Sequence, residues 1–325
     1  MRLLRLLLTA LSLLQITSAA TFTNPIRARD GSDPHIVHHD GFYYLMTTTW
    51  TDLRLTRAKT LEGLKTGETK VVWTDTNAAR CCNVWAPELH RVDGVWYIYY
   101  TAGNRQNLDG QRSHVVRGGA HPWDGQYSYA GQVTPDWGID GTVLTIGGKN
   151  YFIWSCLPRP RWQSLCIAAM TSPTKIPAGW KLLSEPELAW ERVGSPVNEG
   201  ATALYNGTRV WVGYSGSYCW TDSYQLGLLR YKGTGDPTEK GNWEKGREPV
   251  FSSSEGNWGT GHNAFFTSPD GRETWNVYHA TTVRTGNCDG NRYTAAKRVE
   301  WRADGTPDLG RAERTGTRLL GPSGE

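Results

Sequence analysis

The chain has 325 residues and a formal charge of +4, a length usual for one all-β toroid or barrel. The charge is slight and unclustered, and two of its contributors, Arg2 and Arg5, lie in a leader, so neither a nucleic-acid nor a membrane partner is indicated. Sixteen Trp and fifteen Tyr are many for this length; most suit the half-buried face of a pleated sheet, while some are available for sugars to stack on.

Residues 1–20 read as a secretory signal. Arg2 and Arg5 form its basic start, residues 6–16 an apolar run too short to span a bilayer, and Ser18-Ala19-Ala20 the small residues of a cleavage site. The rest, residues 21–325, is expected to be one secreted, extracellular domain that acts as a monomer.

A unit then repeats. Counting eight back from a turn glycine reaches Asp33 from Gly41, Ala86 from Gly94, Asp140 from Gly148, Glu199 from Gly207 and Asn263 from Gly271. In the first unit, strands are expected at residues 35–39, 43–49, 53–58 and 69–73. In the second they are expected at 89–92, 96–101, 114–118 and 127–133, and in the fourth at 203–205, 209–215, 226–232 and 249–252. Asp-Gly, Gly-Gly and Asn-Gly pairs join the first two strands, as tight hairpins require. Five such units, about 50 to 65 residues apart and nearly free of helical patterns, indicate a five-bladed β-propeller with four antiparallel strands per blade. Trp96, Trp211 and Trp275 fall early in second strands and are expected between blades. The tail after Arg311 is expected to complete or cover the last blade.

Six cysteines in a secreted chain usually pair. Cys156 and Cys166 flank a turn and suit a disulfide across a hairpin. Cys219 and Cys288 each follow a motif-bearing strand and can meet at one end of the fold. Cys81 and Cys82 either pair elsewhere or close on each other. No Cys/His spacing suggests zinc. Asn206-Gly207-Thr208 is a glycosylation sequon in a turn.

Innermost propeller strands converge on the axis, so Asp33, Asp140 and Glu199 are expected to meet there. Packing does not ask for three like charges in one place; they raise one another's pKa and destabilise the fold. They suit either a hard cation held by oxygens or glycoside hydrolysis, in which one carboxylic acid protonates the leaving oxygen and one carboxylate activates water. Trp50, Trp85, Trp154 and Trp220 recur near the repeat ends, and they favour a sugar.

The chain closely resembles glycoside hydrolase family 43. The resemblance rests on Ser32-Asp33-Pro34, Trp85-Ala86-Pro87-Glu88, Gly138-Ile139-Asp140-Gly141, Asn198-Glu199-Gly200 and Gly261-His262-Asn263, in that order across the chain. The stretches at residues 80–85 and 259–263 look like those of the exo-acting α-L-arabinofuranosidases. The resemblance implies Asp33 as general base, Glu199 as general acid, and Asp140 as the group that orients Glu199 and tunes its pKa. It implies inversion, with base and acid roughly 6.5–9.5 Å apart to admit water. It implies His262 beside an axial metal ion or water, Ca or Na, with no cofactor required for the reaction, and Arg292 as a substrate contact. The substrate would be plant cell-wall arabinan or arabinoxylan oligosaccharide. A β-xylosidase, an endo-arabinanase and a non-catalytic sugar-binding propeller are the alternatives. A Cys81–Cys82 disulfide would stiffen the pocket wall.

Overall fold

A computed structural model describes residues 20–325; apart from Ala20, the expected leader lies outside them. Among the described residues no helix is long and apolar enough to cross a membrane.

The sheets form four complete blades and one completed from elsewhere. Blade one comprises His35–His39, Phe42–Met46, Leu53–Ala58 and Glu68–Trp73. Blade two comprises Cys82–Val92, Val95–Gly103, Arg112–Arg117 and Ser128–Gln132. Blade three comprises Gly138–Ile146, Lys149–Arg159, Trp162–Ala169 and Lys181–Ser184. Blade four comprises Asn198–Asn206, Arg209–Gly216, Gln225–Tyr231 and Trp243–Lys245. In each, strands follow one another in order and antiparallel. Their first strands meet neighbour to neighbour around a closed ring. The expected strand at 249–252 is not the outer strand of blade four. Trp243 takes that role by packing on Tyr231, ring centroids 5.2 Å apart, while Phe251 makes only an isolated bridge to Leu226.

Blade five has three strands of its own, Trp258–Thr267, Thr274–Thr281 and Tyr293–Arg298. The N-terminal segment covers its outer edge. Ile26 donates to the Thr294 carbonyl at 2.8 Å and Thr294 to the Arg27 carbonyl at 2.9 Å; Gly31 donates to the Arg292 carbonyl at 3.0 Å. The side chain of Asn24 bonds both the N–H and the carbonyl of Ala296. The tail after Arg311 covers the last blade as expected, with Ala312 in that blade's core beside Leu309, and Arg318–Leu320 then pairs with Thr21–Thr23.

Each gap between blades holds its own apolar core. Trp96 fills the gap between blades one and two, Trp211 that between four and five, and Trp275 that between five and one, all at most 4% exposed. All six cysteines pair, as Cys81–Cys82, Cys156–Cys166 and Cys219–Cys288. The second of these crosses a hairpin of blade three; the third joins a loop of blade four to one of blade five.

Candidate active site

At the entry of every first strand the backbone takes the same unusual turn. Two residues before the regular pairs His35–Met46, Glu88–Tyr99, Thr142–Ile153, Thr202–Gly213 and Ala264–Val277 stand Asp33, Ala86, Asp140, Gly200 and His262. Their φ values are 54°, 43°, 55°, 57° and 39°. In blades two to five the pairing slips here, the mark of a bulge that re-aims a side chain. Four residues other than glycine in left-handed backbone at one level of the axis is strain of the kind kept at functional sites.

This geometry corrects the count from the turn glycines. Asp33 and Asp140 are equivalent, but Glu199 lies one residue before its blade's left-handed position and Asn263 one after. The hairpins cause the offset. Blades one and three carry glycine at the second turn position, at Gly41 and Gly148, whereas blade four turns through Gly207 and Thr208 with glycine first. Blade five has a longer turn. Gly200 takes the place of an acid for a steric reason: a Cβ there would stand 2.9 Å from the His262 ring.

The three carboxylates converge nonetheless, around His262. Nδ1 of His262 is 3.3 Å from Asp33 and 3.8 Å from Asp140. The backbone N–H of His262 donates to Ser215 Oγ at 2.7 Å. Asp33 accepts Thr48 Oγ1 at 2.5 Å and the Arg292 guanidinium at 3.1 Å, and its N–H donates to His279 Nδ1 at 3.1 Å. Asp140 accepts the Gly200 N–H at 3.3 Å. Glu199 accepts Gln163 Nε2 at 2.6 Å and Tyr224 Oη at 2.9 Å.

The environments push the three acids apart. Burial alone would raise Asp33, but Arg292, His262 and the bond with His279 outweigh it and hold its carboxyl well below the usual range. Burial raises Asp140 to about 7, with the charges of Glu199 and Asp33 adding and His262 opposing. Burial and the charge of Asp33 raise Glu199 against His262, Tyr224 and Gln163. Burial disfavours the His262 cation, yet the carboxylates win and raise its pKa. The result is one ionised carboxylate facing a pair that retains a proton, the division of labour that acid–base hydrolysis needs.

The other expected site residues separate. Trp50 and Trp85 meet edge to face, 6.0 Å between centroids. Trp50, the Cys81–Cys82 pair, Asn83 and Arg105 line a cleft of ≈ 690 Å³. Trp50 is held at φ 73° by paired backbone bonds to Val84 of 3.0 and 3.1 Å. Trp154 does not face a sugar. It is 2% exposed, in the core between blades two and three, against Phe152 and Trp180. Its side of the second strand faces Gly138, where a Cβ would lie 2.8 Å from the indole. Trp220 is 48% exposed beside Cys219. Arg292 is buried; its guanidinium serves Asp33 and the carbonyls of Cys288 and Asp289. Thr48, Gln163, Tyr224 and His279 carry no motif and were not expected at the site. The one signal for Tyr224 is Gly261, where a Cβ would stand 2.3 Å from its ring.

Nδ1 of His262 faces Asp33 and Asp140; an axial Ca or Na ion would meet this ring only on its Nε2 side or through water, since a hard cation takes six or more oxygens.

Residues 22–307 match Glycosyl hydrolases family 43. An extracellular exo-alpha-(1->5)-L-arabinofuranosidase of Streptomyces avermitilis is 36% identical over 309 residues, 90% of this chain and 64% of that protein. Alpha-L-arabinofuranosidase 43 of Humicola insolens is 36% identical over 300 residues, 86% of this chain and 61% of that protein. The chain thus spans less than two thirds of the length of these two relatives. The crystal structure of an alpha-L-arabinofuranosidase from Lactobacillus brevis superposes with a TM-score of 0.84 at 28% identity, over 91% of this chain and 98% of that one. With family motifs in order along the chain and their carboxylates gathered at the axis, this chain belongs to glycosyl hydrolases family 43.

Proposed function

We propose that the protein is a secreted, inverting, exo-acting α-L-arabinofuranosidase that releases terminal arabinofuranosyl residues from arabinan or arabinose-containing oligosaccharides. The observation that carries this reading is the split of the axial acids into an ionised Asp33 and a proton-holding Asp140–Glu199 pair around His262. The matched relatives, named for arabinofuranosidase activity, support the choice of sugar.

In this mechanism Asp33 takes a proton from water as the water oxygen bonds the anomeric carbon. Glu199 gives its proton to the glycosidic oxygen as that carbon–oxygen bond breaks. Asp140 fixes the Gly200 amide beside Glu199, and its coupling to Glu199 keeps a proton in the pair up to near neutral pH. Thr48 and Arg292 orient Asp33; Gln163 and Tyr224 orient Glu199. No cofactor enters. Trp50, Trp85 and Trp220 form the sugar-facing aromatic surface, with the Cys81–Cys82 ring as a stiff wall beside Trp50. A glycan on Asn206 would sit on the hairpin at the other end of its strand from Glu199.

The test compares arabinose with xylose release from small aryl glycosides and arabino-oligosaccharides, with the anomer formed first read by proton NMR. The expected result is arabinose of inverted configuration, with Glu199→Gln and Asp33→Asn each losing turnover by at least about 100-fold. Xylose release, internal cleavage of arabinan, or full turnover in Glu199→Gln would each refute it.

A further inference from the structure

Beyond the carboxylates the axis carries a second polar group. Two residues past the left-handed positions stand His35, Glu88, Thr142, Thr202 and Ala264, and His90 lies two further along blade two. His90 Nε2 and Glu88 Oε2 are 2.6 Å apart. The rings of His35 and His90 lie 5.1 Å apart between centroids. One donor atom from each of His35, Glu88 and His90 lies within 4.8 Å of the other two. His35 Nδ1 accepts the Leu89 N–H over a long 3.3 Å, so the neutral ring carries its proton on Nε2, and an ion bound at Nδ1 would take the place of this long bond.

Its two histidines are reached from solvent. His35 and His90 line a cavity of ≈ 410 Å³ built from the downstream halves of all five innermost strands, with His38, Thr142 and Tyr205 among its walls. None of Asp33, Asp140 and Glu199 lines it. It therefore opens at the end of the axis away from the site of hydrolysis.

Neither packing nor hydrolysis requires two imidazoles and a carboxylate here. The equivalent places in blades three to five hold Thr142, Thr202 and Ala264, small residues that fill an axis without buried charge. Two nitrogens and one carboxylate with an open side are the donors of a divalent borderline ion, which takes three protein ligands and a water. They are not the oxygen cage of a calcium ion.

We propose that His35, Glu88 and His90 form a binding site for a divalent transition metal of the Zn²⁺ class, at the end of the propeller axis remote from the carboxylates. The ion would clip blade one to blade two at their innermost strands. This assignment shares no residue with His262 and does not depend on the hydrolase reading.

The test uses the full mature chain, stripped with a chelator and titrated with Co²⁺, whose visible absorption reports nitrogen and oxygen coordination, and with Zn²⁺ in competition with a chromogenic chelator. One equivalent per chain is expected. His90→Ala should weaken binding more than about 100-fold, beyond the effect of losing an outer partner of a ligand. His38→Ala, at the cavity wall but outside the trio, should bind as the wild type does. Glu88→Gln, which keeps the shape and the bond to His90, should bind more weakly and serves if the alanine chain does not fold. A wild-type chain that takes up no Zn²⁺ from micromolar solution overturns the proposal. So does equal affinity in the wild type and the two ligand variants, with the ion then on surface histidines.

Discussion

Asp33 and Asp140 have the same side chain, the same backbone twist and equivalent places on the innermost strands of blades one and three, yet they titrate in opposite directions. Both pay for burial; only Asp33 has the Arg292 cation and the His279 bond in return. The proposed mechanism needs Asp33 ionised and the Asp140–Glu199 pair protonated. Activity should therefore fall as pH drops through the low value of Asp33 and fall again as pH rises past about 7, where Asp140 loses its proton. Replacing Arg292 by Gln removes the largest influence holding Asp33 down. The acidic limb of kcat/KM should move to higher pH while the alkaline limb stays; a uniform loss at all pH values would mean that Arg292 only supports the fold. Stability shares the sign. Asp33, with its pKa depressed, stabilises the fold above its unfolded value and ceases to as pH falls through its folded value.

At the scale of strands and turns, much was legible before any coordinate. Alternating apolar runs around Asp-Gly and Gly-Gly turns locate the hairpins, because those turns demand positive φ. The blade count and the meeting of three acids follow. The failures are local. A shift of glycine by one place within the hairpin of blade four moved Glu199 out of register, and a turn glycine alone does not report its own position in the turn. Trp154 was misplaced because a tryptophan in a second strand looks the same whichever face it occupies. Gln163, in the third strand of blade three, reaches Glu199 across blades, and Tyr224, just before the third strand of blade four, reaches it within its own blade, so no spacing announces them. The two tryptophans offer a contrast. Trp154→Ala, deep in the core, should cost about 3–5 kcal/mol in denaturant unfolding. Trp220→Ala, largely exposed, should change stability by less than about 0.5 kcal/mol and, as a sugar platform, raise KM for oligosaccharide more than for a small aryl glycoside. Equal destabilisation by both would contradict the burial described here.

Across the whole molecule, apolar core fills each of the five gaps between blades, and no single core holds the carboxylates in place. Their meeting depends on every gap being shut, including the last, where residues 24–31 lie along Tyr293–Arg298. Removing residues 21–27 should lower the midpoint of thermal unfolding and turnover together, because Asp33 sits only a few residues downstream of this seam. Intact turnover with the seam removed would show that the other four gaps suffice to hold the acids.

The same seam sets an order of events. The partners of Ile26 and Arg27 are Thr294 and its neighbours, so the first described residues have no edge to join until nearly the whole chain exists. Until then their backbone lacks these partners, and the loop to be closed spans nearly the whole chain. Long-range closures of this kind come late and slow folding. A chain caught before that closure would show an unpaired edge on its last blade, open to another chain's strand. For this propeller the dangerous moment for aggregation is the interval between finishing the fifth blade and docking the first residues against it.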